Sequence, residues 1–432
     1  MFLNRFGVRA SQLKAVFENG VSLSTYFPSG TQFYYGYPAG EDSGFLNKVT
    51  PSVEELVAAR PNCCAGPDIS VINFAATTSA SINQKVIDLF NIPQVAKDRA
   101  IVLPSEIDLS VEGNHRNEAV KSALKKLITP GSLVMAQPYT DDDLADLYQI
   151  PAQTTAWLND KSNMGSYVNA DMMPKSFGIF ANGSEFFKAH ESMPVPVVVK
   201  ASLSSSGDGV FLCDTEEDIK EAAHKFEHLE GKILVEQYIK TVTNYGVHFG
   251  VPSDKKMPID IIGVNEQLTT PKGEFIGGII RSAEIPKELI KAVTHLKNDI
   301  LPKVRDMGWY GIGGFDVLVD DTGKAYFIDC NFRMTGMSAY HFMIANQKLK
   351  RPVAGFSGEF IGKSEDLIKK LSEYGGKDAN GKFLQIITMS RHDDTWRFNG
   401  TISFKNDKEL KEYASLLLFA DVESQALRFL AD

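Results

Sequence analysis

Cysteine is scarce, with four in 432 residues: Cys63 and Cys64 are adjacent, Cys213 and Cys330 stand alone, and none has CxxC spacing or a neighbouring histidine cluster. That pattern argues against a disulfide framework and against structural zinc. Cys213 and Cys330 fall within apolar strand patterns, where a free cysteine behaves as a small buried hydrophobe. Positive charge is also short. Lys and Arg number 45 against 54 Asp and Glu, for a net charge of −9 and a pI near 5.5. The chain therefore offers no broad basic surface, which sets aside nucleic acid and anionic membranes as partners. Long apolar runs are missing too. Pro194 to Val199 and Leu416 to Phe419 fall far short of the roughly 20 residues that span a bilayer. Met1 to Phe27 lacks the basic, apolar and small-residue succession of a signal peptide, so a cytoplasmic protein is expected. The eight histidines are dispersed, with no Ser/His/Asp elbow and no HExxH helix.

What is present is enough chain for two or three domains. Up to about residue 135, short apolar runs (Ser70 to Ala75, Ile101 to Leu103, Leu133 to Gln137) alternate with helical patterns such as Asn117 to Ile128, which predicts an α/β unit with parallel strands. Asp141-Asp142-Asp143 suits the first turn of a helix and its macrodipole. Further on come the strand Val195 to Ala201, a Ser/Gly loop, the strand Val210 to Cys213, an amphipathic helix Thr215 to Leu229 and the strand Lys232 to Gln237. Beyond about residue 340, a helix at Ser364 to Tyr374 and strands near Phe383 to Ser390 and Asn399 to Phe404 are expected.

Chemistry concentrates in one hairpin. Gly313 to Val319 and Lys324 to Asn331 are alternating apolar runs around Asp320-Asp321-Thr322-Gly323, which reads as two antiparallel strands. A turn centred on Asp321 and Thr322 pairs Val319 with Lys324 and Asp316 with Phe327. Asp316 then shares a face with Asp329 and Asn331, at a diagonal separation from Asp329 of about 7 to 8 Å. Two carboxylates and an amide so placed suit magnesium that also holds nucleotide phosphates; the alternative is two surface acids near a hairpin end.

Candidate cations surround it. Lys200 ends an apolar strand directly before Ala201-Ser202-Leu203-Ser204-Ser205-Ser206-Gly207-Asp208-Gly209, a loop whose backbone and hydroxyls can wrap a phosphate, although a plain hairpin tip has the same composition. GxxxxGK[ST] is absent. Lys161 is a second lysine, and Leu234-Val235-Glu236-Gln237-Tyr238-Ile239 could edge an adenine or be core strand. Arg333, two residues past Asn331, and Arg281, ending Phe275 to Ile280, could clamp a phosphoryl group or merely neutralise the acids.

In order, Lys161, Lys200 with its loop, Val235 to Ile239, Asp316, then Asp329-Cys330-Asn331-Phe332-Arg333 resembles the ATP-grasp superfamily. Within it the set looks like carboxylate-amine ligases such as D-alanine:D-alanine and L-amino acid ligases. The resemblance implies an α/β protein, α+β in its nucleotide-binding part: an N-terminal parallel α/β domain at 1–135, a small ATP lid at 136–235, and a large subdomain at 236–432 with the metal site and a C-terminal extension. It implies that Lys161 and Lys200 contact ATP phosphates under a loop including Ser206, Gly207 and Gly209, and that Glu236, Gln237, Tyr238 and Ile239 hold adenine. Asn244 stands where relatives carry a ribose-binding acid. Asp316, Asp329 and Asn331 would ligate magnesium, or manganese in its place, with Asp329 where relatives commonly have glutamate. Arg333, with Arg281 as a second cation, would stabilise the transferring phosphate. The implied reaction joins a small-molecule carboxylate and an amine, amino acids among them, through an acyl phosphate, releasing ADP and phosphate; family habit adds a homodimer. A thiol acceptor, a kinase-type transfer and a non-catalytic nucleotide-binding protein are the alternatives.

Overall fold

In the computed structural model, residues 21–36, 51–107, 114–204, 209–282, 284–347, 351–375 and 383–432 are described. Near the N-terminus four short strands, β1 (Gln32–Tyr34), β2 (Ser70–Asn73), β3 (Ala100–Val102) and β4 (Leu133–Met135), pair in parallel in the order β3-β2-β1-β4. Parallel strands need crossovers that cover the sheet, so these strands read as short apolar runs. The helix Asn114–Leu127 supplies one cover, with Val120, Ala123 and Leu124 in a single core with Ile72 and Leu133. Because β1 has β2 on one side and β4 on the other, the winding reverses at its C-terminal end, the place where open α/β sheets take ligands. Asp141 to Asp143, expected to open an α-helix, instead lead a 3-10 stretch, Asp142–Leu147. Asp141 is paired with Lys121, and Asp143 with Lys125 at 3.3 Å, which holds both acids on the neighbouring helix.

A second sheet is antiparallel: β5 (Ser176–Phe180), β6 (Val197–Ala201), β7 (Val210–Cys213) and β8 (Ile233–Gln237), in the order β5-β8-β6-β7. The helix Glu216–Phe226 lies on it because Ile219, Ala222, Ala223 and Phe226 recur at helical spacing. Thr215 caps that helix and Asp218 completes a capping box. The chain enters this sheet beside the point where it leaves, since the Gln237 N–H donates to the Lys175 carbonyl at 2.8 Å.

The third sheet is the frame of the molecule. It comprises β9 (Thr241–Val251), β10 (Asp260–Thr269), β11 (Phe275–Ile280), β12 (Gly311–Asp320), β13 (Ala325–Asn331), β14 (Val353–Ile361), β15 (Leu384–His392) and β16 (Thr395–Ser403). These eight strands pair antiparallel in the order β13-β12-β9-β10-β11-β14-β16-β15. Alternation along the strands sorts the two faces. Phe315, Val317, Val247 and Phe249 form one core with Ala292, Val293, Leu296 and Leu301 of the helical residues 290–306. A π turn, Leu296–Ile300, interrupts those helical residues just before Pro302, which has no N–H to continue the ladder. Gly314, Asp316 and Leu318 point from the other face into a cavity. At the far end of the sheet Trp396, Phe398 and Phe356 pack on the C-terminal helices Asp407–Phe419 and Gln425–Ala431. Among the described residues no helix is long and apolar enough to cross a membrane.

Candidate active site

The hairpin forms, with a register that differs from the expected one. Val319 pairs with Ala325, Val317 with Phe327, and a bulge between Asp316 and Val317 then sets Asp316 opposite Asp329. The turn is longer than a two-residue turn because Asp320 organises it. Its Oδ1 accepts from the N–H groups of Thr322 and Lys324, each at 2.9 Å, and from Thr322 Oγ1 at 2.7 Å. Gly323 supplies the left-handed residue, φ +80°. The bulge re-aims the strand, and directly opposed side chains have Cβ atoms only about 4.5 to 5.5 Å apart, closer than the diagonal pair expected. Asn331 follows on the same strand, opposite Gly314.

Burial, and then the charge of Asp329, push the Asp316 carboxyl up to about 7, against a hydrogen bond from Gln267, Lys161 and Arg333. Gln267 Nε2 donates to Asp316 Oδ1 at 2.6 Å. Opposed carboxylates under that pressure, with an amide beside them, form a hard-oxygen donor set that fits magnesium when phosphates and water complete its shell. Among the described residues no group of three or more His, Cys, Asp or Glu gathers at one point.

Two lysines line the same cavity, and one of them reaches this pair. Lys161 follows Asp160, whose side chain caps the 3-10 turn Lys161–Ser166, and its backbone N–H donates to Ser202 O at 3.1 Å. Its ammonium is buried, donating to Ser204 O at 3.1 Å and Ser204 Oγ at 3.2 Å, and lies 3.2 Å from Asp329 Oδ1. Lys200 Nζ donates to Ile328 O at 2.8 Å and sits 2.7 Å from Glu236 Oε2. Both ammonium groups are buried and each has a carboxylate and a carbonyl oxygen beside it, the pairing that burial of a cation calls for. Gly209, φ +73°, closes the loop onto β7, whereas Ser206 and Gly207 lie outside the described residues. Arg333 lines the cavity. Arg281 does not; its Nε and Nη1 bind Glu266 at 2.8 Å and Asp407 at 2.7 Å on the surface.

These side chains share a cavity of about 870 Å³ between the second sheet and the frame. Glu236, Gln237, Tyr238, Ile239 and Asn244 line it. Asn244 Oδ1 is buried without a hydrogen-bond partner among the described residues, a vacant acceptor of the kind a ribose hydroxyl satisfies. The Gln237 N–H is spent on Lys175, so any adenine donor must be another group.

Gln267, His248 and Asn265 were weakly signalled. Asn265 and Gln267 alternate with apolar neighbours along β10, which puts them on one face. His248 Nε2 bonds Asn265 Oδ1 at 2.7 Å, and its ring lies 4.4 Å from that of His341. Burial pulls His248 down to about 4 and His341 well below its ordinary value; both are neutral packing partners at pH 7. Cys330 is buried, its thiol pushed up to about 12 by burial and then Asp329, and Sγ donates to Leu158 O at 3.2 Å.

Comparison with known proteins follows the same residues. The sequence model of the family "L-aspartate--L-methionine ligase, ATP grasp" matches residues 180–331. The D-alanine--D-alanine ligase of Geotalea uraniireducens is 26% identical over 241 residues, covering 55% of this chain and 72% of that protein. The 2-oxoglutarate carboxylase small subunit of Hydrogenobacter thermophilus is 25% identical over 170 residues, covering 38% of this chain and only 34% of the subunit. Among solved structures, an ADP complex of N5-carboxyaminoimidazole ribonucleotide synthetase superposes with a TM-score of 0.56 at 12% identity, covering 92% of this chain and 99% of the other. The biotin carboxylase domain dimer of the Hydrogenobacter thermophilus 2-oxoglutarate carboxylase, complexed with MgADP, ADP and bicarbonate, gives 0.53 at 13% identity, covering 92% of each. Parallel N-terminal sheet, antiparallel second sheet and eight-stranded frame thus share the fold of these solved structures, and residues 180–331 match an ATP-grasp ligase model in a chain similar to carboxylate-amine ligases.

Proposed function

We propose that this protein joins the carboxylate of one small molecule to the amine of another, both amino acids, with ATP converted to ADP and phosphate. The observation that carries the reading is the meeting of Asp316, Asp329, Asn331, Lys161 and Lys200 in one cavity. Lys161 and Lys200 hold the triphosphate by exchanging their protein partners for phosphate oxygens. Magnesium, held by Asp316, Asp329 and Asn331, would supply positive charge to those oxygens. Arg333 faces the same space and steadies the transferring phosphoryl group, where such electrostatic positioning does most of the work. A donor carboxylate oxygen attacks the γ-phosphorus and ADP leaves. The acceptor nitrogen then attacks the acyl carbon, phosphate departs, and the nitrogen's proton passes to solvent. The second sheet covers the acyl phosphate and keeps water from it.

The division into 1–135, 136–235 and 236–432 is supported by the three sheets, with β8 carrying the lid two residues beyond its expected limit, to Gln237. Free ATP and amino acids as substrates accord with a cytoplasmic location. The test is phosphate release from magnesium ATP with amino acids offered singly and in pairs, and mass spectrometry of the products. Release that requires two amino acids and yields an amide supports the ligase; release with one alone, or with a thiol, replaces it with phosphoryl transfer or thioester formation.

A further inference from the structure

The cavity continues past the phosphate-binding side chains. Its floor runs by Gly336 and Met337 to β14 and β16, where Ser357, Glu359 and Arg397 line it, and Arg60 of the N-terminal domain forms the facing wall. Register explains the grouping. Arg397 pairs with Glu359 and Asn399 with Ser357 across β14 and β16, so the four share one face while Trp396 and Phe398 pack on the other. Arg60 Nε donates to Asn399 Oδ1 at 2.9 Å, and Asn399 Nδ2 to Ser357 Oγ at 2.7 Å. Arg397 Nε lies 2.7 Å from Glu359 Oε1. Arg60 is held through its Nε, and the Arg397 guanidinium lies against the Glu359 carboxylate.

Arg60 is delivered by the turn Arg60–Cys63. That turn rests on the helix Ser338–Gln347, with Cys63 Sγ 3.9 Å from Ala339 O, just beyond the loop that bears Arg333. Tyr35, the residue after β1 at the winding reversal, lines the same cavity, so the ligand position expected of the parallel sheet opens here as well.

Two neighbouring guanidiniums in a cavity wall are a receptor for a carboxylate, and the proposed phosphoryl chemistry already has its cations in Lys161, Lys200 and Arg333. The donor's reacting carboxylate must sit at the metal and phosphate end. Taking the ligase reading as given, we propose that Arg60 and Arg397 bind the α-carboxylate of the amine-bearing substrate, so that the acceptor is an amino acid and not a simple amine.

The experiment measures ADP release by the full-length protein with magnesium ATP and each of the common amino acids as acceptor, and then with the carboxamide of every acceptor that works. The wild type is expected to prefer the acid over its amide by about 100-fold in kcat/KM, since charge-assisted bonds at such sites are each worth roughly 10-fold or more. Arg397→Gln and Arg60→Gln should shrink that preference by about 10-fold or more through the acceptor KM, leave the KM for ATP in place, and regain part of it as Arg397→Lys. A wild type that uses amide and acid alike overturns the assignment, whether or not the variants fold. So do variants with an intact melting transition that keep the preference or that change the donor KM instead. No ADP release from the wild type with any pair of amino acids is a separate result, which sinks the ligase reading and this one with it.

Discussion

Lys161 Nζ lies 3.2 Å from Asp329 Oδ1, an ion pair that ties the segment leading into the second sheet to the β13 edge of the frame. On the proposed function, nucleotide binding exchanges this pair for two others, ammonium with phosphate and carboxylate with metal. Lys161→Ala and Asp329→Ala should therefore be non-additive. Each raises the KM for magnesium ATP by about 10-fold or more, the double variant does less harm than the product of the two, and the coupling is about 0.5 to 3 kcal/mol. Steady-state kinetics on the four proteins measures it, and strict additivity would show that the pair plays no part.

Asp316→Asn should separate activity from stability. Removing one of two opposed carboxylates is expected to lower kcat/KM by about 1,000-fold, in line with loss of a group that stabilises transition-state charge. In chelator, without metal, the same change relieves a carboxyl that burial and Asp329 disfavour as an anion. Its melting temperature should stay level or rise by a few degrees. A large fall in melting temperature would mean that Asp316 holds the fold instead.

Lys200→Met removes the charge that faces both Glu236 at 2.7 Å and the Ile328 carbonyl at 2.8 Å. Charge-assisted hydrogen bonds are worth about 1.5 to 3 kcal/mol. A 10- to 100-fold weaker affinity for ATP follows, read by calorimetry, and unaltered affinity would remove Lys200 from the site.

Gly263 lies where a Cβ would come within 2.3 Å of His341 Nδ1, a buried ring with no room to retreat. Gly263→Ala should cost about 1 to 3 kcal/mol in chemical denaturation while leaving the KM for ATP near wild type.

Acid should destabilise the protein through the His248 and His341 pair. Both fall below the ordinary histidine value of about 6.5, His248 to about 4. As pH drops below about 6.5 the unfolded chain takes up protons that the folded chain refuses, so stability falls steadily toward pH 4. His248→Gln, which can still donate to Asn265, should flatten that part of the melting-temperature profile; an unchanged profile would assign the acid sensitivity elsewhere.

Much of the site could be read from the chain because it depends on short periods. Asp316, Asp329 and Asn331 belong to one hairpin, and Lys200 ends a strand whose apolar run is unbroken. The opposition of Asp316 and Asp329 could not be read, because it is set by the Asp320 side chain folding into the turn and by a one-residue bulge, neither of which leaves a period in the sequence. β14 to β16 escaped functional notice for a different reason. Arg397 and Asn399 gain meaning only when the turn at Arg60 crosses from the N-terminal domain to meet them, a contact between residues 339 positions apart. Arg281 looked like a site cation because it ends the strand Phe275 to Ile280, yet Glu266 and Asp407 hold it on the surface.

The bond between Gln237 and Lys175 makes the two crossings of the chain into and out of the lid a single pivot. A body hung from paired crossings has one easy axis, like a door on one pin. Any swing of the second sheet against the frame would therefore turn on the backbone torsions beside that bond, outside the paired strands. Stiffening that pivot would slow the exchange of ADP for ATP before it touched any group that handles phosphate.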